Sequence, residues 1–311
     1  MNRVWMLHLA VLVLLLAAHF LLPSYHHGQV ARIMVLAIYA MGYNILFGYT
    51  GLLSLGHAML FAAGMYGMGL SVQHLGLGAL SGFTLGVICA LCTALIVGLL
   101  ALRTIGVAFM IVTLMFSQAG YLAILYFGTW TRGDEGFVVN PDTRQILGHN
   151  LADADNRYMI ALILFAVTML IKLWLVRAPE GRVMIAIREN EERATMLGFN
   201  TWAHKLLAVV ISGGFAGIAG AAYGLLFGYV GASFAHVPYS IFPLLWVLLG
   251  GAGTVLGPLI GTGFMVYLID YASGLTDAYM LIVGLALVAL VLFARRGIMG
   301  LVRDRMMPWL P

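Results

Sequence analysis

Ser54 and His57 stand three residues apart, and a hydroxyl beside an imidazole is the minimum equipment for nucleophilic catalysis. That spacing alone makes no dyad, and no motif of an intramembrane protease flanks it. His8, His19, His26 and His27 raise haem or metal ligation. A helix carrying His8 and His19 sets them on a similar face but about three turns apart. One metal cannot bridge them without a ligand from another helix. Cys89 and Cys92 lie together in an apolar run and have no second pair to complete a metal site, so they read as small packing residues. No Gly-x-x-x-x-Gly-Lys-Ser/Thr phosphate loop occurs, so any ATP hydrolysis belongs to another chain. The expectation is a chain with no catalytic residue, no metal site and no cofactor of its own.

The elements around these residues are set by composition. The chain has 311 residues, of which 62% are apolar and 9% charged. A soluble domain carries roughly a quarter charged residues, because it must cover itself in water. A bilayer removes that requirement, so the composition excludes an ordinary globular enzyme. The 38 glycines suit helices packed backbone-close in lipid. The predicted fold class is all-α, a polytopic membrane helix bundle forming one transmembrane domain over residues 1–311.

With about 20 apolar residues needed per crossing, ten transmembrane or re-entrant helices are predicted. They are Val4–Leu22, Val30–Phe47, Ala58–Gln73, Ala79–Leu102, Ile105–Phe127, Tyr158–Val176, Lys205–Tyr229, Ile241–Leu249, Pro258–Tyr271 and Ala278–Ala294. Val4–Leu22 exceeds the core of a secretory signal and reads as the first span. The third, eighth and ninth are short and border glycine-rich turns, the pattern of broken or re-entrant helices. With both termini inside, twelve of the sixteen Lys and Arg residues fall on the cytoplasmic side. The net charge of +4 is then topology, not a nucleic-acid patch. Lys172 is expected to snorkel to the headgroups and Asp270 to be wet, leaving no charged residue in mid-bilayer.

Two polar stretches interrupt the spans. Residues 128–157 are predicted on the outer face, where the charges of Arg132, Asp134 and Glu135 make either a solvated connector or a docking surface. Residues 178–204 are predicted in the cytoplasm. Pro179 and Gly181 break the preceding span, and a helix is expected over Arg182–Leu197 with Val183, Ala186, Ile187, Asn190, Ala194 and Leu197 on one face. Arg188 with Glu192, and Glu189 with Arg193, are spaced to pair across the other face. Gly198 caps this helix, and Asn200 or Thr201 opens the next. Its balanced charge fits a protein groove better than lipid headgroups, which favour a basic face.

Gly48-x-x-Gly51-x-x-x-x-Gly56 and Gly250-x-x-Gly253-x-x-x-Gly257 form a weak internal repeat. Paired glycine-interrupted helices in two halves point to a permeation site, because interrupted backbone offers polar groups without charged side chains. Asn44, Thr50, Ser54, His57 and Thr254 are the polar residues nearest, with Thr113, Ser117 and Gln118 as further candidates for a weakly polar lining.

The run Glu180–Gly198, above all Ala186-Ile187-Arg188-Glu189-Asn190-Glu191, resembles the cytoplasmic loop of branched-chain amino-acid importer permeases. Glu192-x-Ala194-x-x-x-Gly198 is similar to a relaxed coupling motif of ABC importer permeases. Gly48–His57, Leu249–Pro258 and Ala294–Leu301 are similar to that family as well, in the same order, so the resemblance covers residues 30–302. It implies a type II ABC importer-like fold in the bacterial inner membrane. It further implies a second permease, related or identical, two cytoplasmic ATPases carrying the ATP and Mg, and a periplasmic substrate-binding protein. Glu180, Gly181 and Arg182 would open the coupling helix. The charged Thr131–Gly136 segment departs from the family, where glycines and a hydroxyl follow the threonine. Branched-chain or other hydrophobic amino acids lead as cargo, with urea, short amides and aromatic carboxylates open. A secondary transporter or channel is the alternative; such a protein has no need of a mixed-charge docking helix.

Overall fold

The computed structural model describes residues 3–276 except 147, together with residues 278, 281–285, 288 and 297–305. Helix α1 (Arg3–Leu21) is followed by α2 (Ser24–Asn44), which continues into a π-helical turn over Ile45–Tyr49. Then follow α3 (His57–Leu75), α4 (Ala79–Ala101), α5 (Val107–Tyr126) and the one-turn α6 (Gly128–Thr131). After a long loop come α7 (Ala154–Arg177), α8 (Pro179–Glu189), α9 (Glu191–Met196) and α10 (Thr201–Phe227). The chain ends with α11 (Val237–Gly250), α12 (Gly257–Leu275) and α13 (Gly297–Arg305). The tenth expected span, Ala278–Ala294, lies largely outside the described residues.

Among the described residues six helices are long and apolar enough to cross a bilayer: α1, α2 with its π turn, α4, α5, α7 and α10. The expectation of a short third and ninth element is corrected, since α3 and α12 each reach 19 residues. Each starts one residue earlier than expected and runs on at its end, through His74–Leu75 and Ala272–Leu275. Only the eighth stays short, α11 having 14 residues with Pro243 inside it.

Helix α2 is the central post. It packs on α7, α10, α11 and α12, and 83% of its most apolar window is buried. Helices α3, α4 and α10 form a second tight group. Their approach depends on small residues: Gly213 and Gly217 abut Ala94 and Ala90, and Gly220 lies against the Phe61 backbone. Helices α1 and α5 are buried over only 11% and 17% of their windows, leaving flanks for lipid. Cys89 and Cys92 sit on the exposed side of α4, which corrects their reading as interior packing residues.

One end of the bundle carries α8, α9 and α13. The other carries the loop between α6 and α7, where two short strands, β1 (Phe137–Val138) and β4 (Tyr229–Val230), pair antiparallel. A second pair joins β2 (Gln145–Ile146) to β3 (His149–Asn150). The loop is thus tied to the start of the α10–α11 connection. Arg144 reinforces the tie, its Nη1 donating to the Leu225 carbonyl at 3.3 Å. Burial lowers the pKa of that guanidinium, and the neighbouring charge of Arg157 adds to the shift.

Candidate functional site

The two glycine turns meet. Asn44, in the last turn of α2, is fully buried and stitches them together. Its Nδ2 donates to the Thr254 carbonyl at 2.7 Å, and its Oδ1 accepts from Gly253 N–H at 2.9 Å. Thr254 is buried too, donating through Oγ1 to the Gly251 carbonyl at 2.7 Å and accepting from Gly257 N–H at 3.1 Å. Thr50 closes the first turn by donating to the Ile45 carbonyl at 3.0 Å. The closeness demands glycine: a Cβ at Gly48 would stand 2.6 Å from Gly253 N. Gly51 and Gly253 also hold φ of +78° and +73°, the left-handed region. At Gly250 a Cβ would run into the Gly257 carbonyl group.

Arg188 enters this junction from α8. Its Nη1 donates to the Gly48 carbonyl. A Cβ on Gly51 would lie 3.1 Å from its Cγ, and one on Gly253 would lie 3.0 Å from its Nη1. The side chain therefore touches both turns. It also separates two cavities at this end of the bundle. One, of about 360 Å³, is lined by Thr50, Gly51, the α4–α5 connection, Arg188, Glu191 and Lys205. The other, of about 550 Å³, is lined by Gly48, Tyr49, Arg188, Glu189, Gly253 and Arg303.

The expected helix over Arg182–Leu197 is two helices. Asn190 (φ −163°, ψ 103°) ends α8 and caps α9, its Oδ1 accepting from Arg193 N–H at 2.8 Å. The break rotates one half against the other, so the predicted Arg188–Glu192 and Glu189–Arg193 pairs do not form. Among the described residues Glu191 pairs with Lys205 instead, tying α9 to α10. Val183, Ile187 and Ala194 make a small buried cluster as expected, whereas Leu197 is exposed. Gly181 is buried against Val176, where a Cβ would come within 2.8 Å of its Cα. Glu180, Arg182, Glu189 and Glu192 face outward, and Gly198 terminates α9 at φ +89°. Asn200 caps α10 by accepting from Ala203 N–H at 3.0 Å.

Ser54 and His57 do not face each other as a dyad. Ser54 Oγ accepts from Gly56 N–H at 3.2 Å. His57 Nε2 bonds Ser212 Oγ at 2.8 Å, and because that hydroxyl gives its single proton to the Gly42 carbonyl at 2.6 Å, the imidazole is the donor. His57 thus locks α3 to α10 and α2. Thr113 holds the start of α3, its Oγ1 accepting from Leu55 N–H at 3.2 Å, with Ser117 buried one turn further on.

Lys172 corrects the expected snorkelling. It is fully buried, donates to the Thr254 carbonyl at 3.3 Å and lies 5.7 Å from the centre of the Tyr49 ring. Spacing along α7 gave no sign of this, because its partners lie in the glycine turns. Arg132, Asp134 and Glu135 are exposed on the loop between α6 and α7. Arg132 itself adopts φ +57° at the end of α6. A further cavity, of about 350 Å³, joins the ionisable groups Arg32 and Asp270 to Gln29 and the apolar faces of Tyr239, Phe242 and Trp246. Asp270 is only partly wet, accepting from Tyr25 at 2.6 Å and from Gln29 at 3.3 Å.

Comparison with known proteins agrees with this architecture. Residues 28–293 match the family described as "Branched-chain amino acid transport system / permease component". The "High-affinity branched-chain amino acid transport system permease protein LivM" of Salmonella typhimurium is 26% identical over 320 residues, covering 96% of this chain and 75% of that protein. Its counterpart in Escherichia coli K12 is 26% identical over 319 residues with the same coverage. A "Probable branched-chain amino acid transport permease protein LivM" of Methanocaldococcus jannaschii is 32% identical over 108 residues, 33% of this chain and 31% of that protein. No solved structure matches the chain. With most of its length inside the family match and at least six helices long enough to span a bilayer, this chain is a multi-pass membrane protein of the permease-component family of branched-chain amino acid transport systems.

Proposed function

We propose that this permease imports branched-chain or other hydrophobic amino acids, and that α8 and α9 couple its two glycine turns to ATP hydrolysis on partner chains. The reading is carried by Arg188, which touches both turns from a helix at the bundle end. Movement of α8 by a bound ATPase would pull on Gly48 directly and on Gly253 and Thr254 through Asn44. Glu180, Arg182, Glu189 and Glu192 face outward to meet the ATPase, while Gly181, Asn190, Ala194 and Gly198 shape the helix pair.

The proposed assembly has a second permease, two cytoplasmic ATPases binding ATP and Mg, and a periplasmic binding protein docked on Arg132, Asp134 and Glu135. Both termini lie in the cytoplasm in this orientation. The outer cavity has the chemistry for an amino-acid zwitterion: Arg32 for the carboxylate, Asp270 for the ammonium group and aromatic walls for an apolar side chain. Arg32 lies well inside α2, and a charge at such depth belongs in a wet path or against a partner. Ser54, His57 and Thr254 hold the turns rather than the cargo, so their place in the path is one of scaffolding.

Co-purification from native membranes, with mass spectrometry of the partners, tests this reading. Recovery of ATPase subunits and a second permease supports it. A homo-oligomer without an ATPase would replace it with a channel or secondary transporter.

A further inference from the structure

Three helices bring a separate set of side chains together at the bundle end that carries the small sheets. His19 comes from the last turn of α1, His27 from the first turn of α2 and Asp155 from the first turn of α7. One ligand-capable atom from each lies within 4.8 Å of the other two. The helix partners that His19 lacks within α1 are thus supplied by its neighbours.

Hydrogen bonding fixes what these atoms offer. His27 Nε2 stands 2.8 Å from the His19 carbonyl oxygen. A carbonyl only accepts, so Nε2 carries a proton, and in the neutral ring Nδ1 presents a lone pair. That Nδ1 faces Asp155 Oδ1 at 3.7 Å. The gap is too long for a hydrogen bond, which ends near 3.2 Å for N–H to O. Two ligands on a tetrahedral zinc, with bonds of about 2.0–2.1 Å, stand about 3.4 Å apart. His19 Nδ1 is buried and makes no hydrogen bond. The rings of His19 and His27 stack at 4.7 Å, and Tyr158 packs against both, 4.5 Å from His27 and 5.2 Å from His19.

A histidine that gives one N–H to a backbone carbonyl while its other nitrogen faces an open position is oriented as metal-binding histidines are. Two imidazoles and one carboxylate suit zinc-like divalent transition metals better than magnesium or calcium, which prefer oxygen.

We infer that His19, His27 and Asp155 form a three-ligand site for a divalent transition metal of the zinc type, with water completing the shell on the exposed side of Asp155. The carboxylate side chain is 82% exposed, so an ion reaches it from solvent. Bound there, the metal fastens α1 to the bundle. It would add to two hydrogen bonds, from Tyr158 to the Leu15 carbonyl at 2.6 Å and from His27 to the His19 carbonyl at 2.8 Å, on a helix whose buried residues among those described, Val4 and His8, lie near the opposite end.

The test uses the full chain, purified without a histidine tag, stripped with chelator and titrated with zinc chloride. The expected result is one zinc per chain and a raised unfolding temperature, because an ion that binds only the folded state stabilises it. Cobalt in place of zinc should give visible absorption bands of a low-coordinate site. His19→Ala and His27→Ala should abolish the stoichiometric site, and Asp155→Asn should weaken it about tenfold or more. Asp155 is exposed, so its variant folds even where a histidine variant does not. His26→Ala, one residue away and bonded to Tyr267, serves as the unaffected control. Absence of a stoichiometric site, or equal affinity in wild type and Asp155→Asn, would overturn the inference.

Discussion

Asn44 holds the carbonyl of Thr254 at 2.7 Å across 210 residues of sequence, and the same amide receives the N–H of Gly253. One buried side chain therefore closes the junction between the two glycine turns. Leaving a buried donor or acceptor unpaired costs about 1–3 kcal/mol. Asn44→Ala strands both the Gly253 N–H and part of the Thr254 carbonyl, so it should lower stability by about 2–4 kcal/mol. Thermal unfolding in detergent measures this. An unchanged midpoint would mean the junction carries no such load.

Gly48→Ala attacks the same junction from the backbone. The added methyl would press on Asn44 Oδ1 and stand 2.6 Å from Gly253 N, both held by buried bonds that cannot retreat. We expect normal membrane insertion with uptake reduced at least about tenfold, equivalent to about 1.4 kcal/mol at the coupled step. Gly28→Ala is the matched control, because a Cβ there meets nothing within 4 Å. That substitution should be neutral or gain up to about 1 kcal/mol from helix propensity.

Ser54 and His57 separate a catalytic reading from a scaffolding one. Ser54→Ala removes a hydroxyl that accepts only a local backbone bond, and uptake should persist. His57→Ala removes the buried link to Ser212 and leaves a cavity, so loss of stability by about 2–4 kcal/mol is expected. Equal loss of activity in both variants, at unchanged stability, would revive a nucleophilic role.

At the outer loop, Arg132→Glu, or Asp134→Lys with Glu135→Lys, should weaken docking of the binding protein. Charges at an interface rim act mainly on association rate and salt dependence. Uptake should fall when the binding protein is scarce and recover when it is saturating. A defect that saturation leaves unchanged would place these residues elsewhere in the mechanism.

Much of the bundle was legible because apolar runs, caps and turn residues speak locally. Gly198 and Asn200 end and open helices where their backbone and side-chain preferences put them. The two glycine turns were visible as a repeat, but their meeting was not, since it is made through Asn44 and Gly253, which are 209 positions apart. The break at Asn190 was not legible. Charges four apart around it suit a continuous helix, and they outweighed the tendency of asparagine to cap. Lys172 was misplaced for a different reason: its neighbours, Thr254 and Tyr49, lie 82 and 123 positions away. The His19, His27 and Asp155 group likewise needs three helix ends brought together before it exists.

The most direct test concerns Arg188. In the importer reconstituted with its ATPases and binding protein, Arg188→Glu should leave insertion and complex assembly intact. It should abolish uptake and substrate-stimulated ATP hydrolysis, because the Gly48 carbonyl then faces a carboxylate. Glu189→Lys, at an exposed position of α8 on the rim of the larger cavity, should weaken ATPase association instead. Normal uptake by Arg188→Glu would contradict coupling through this helix.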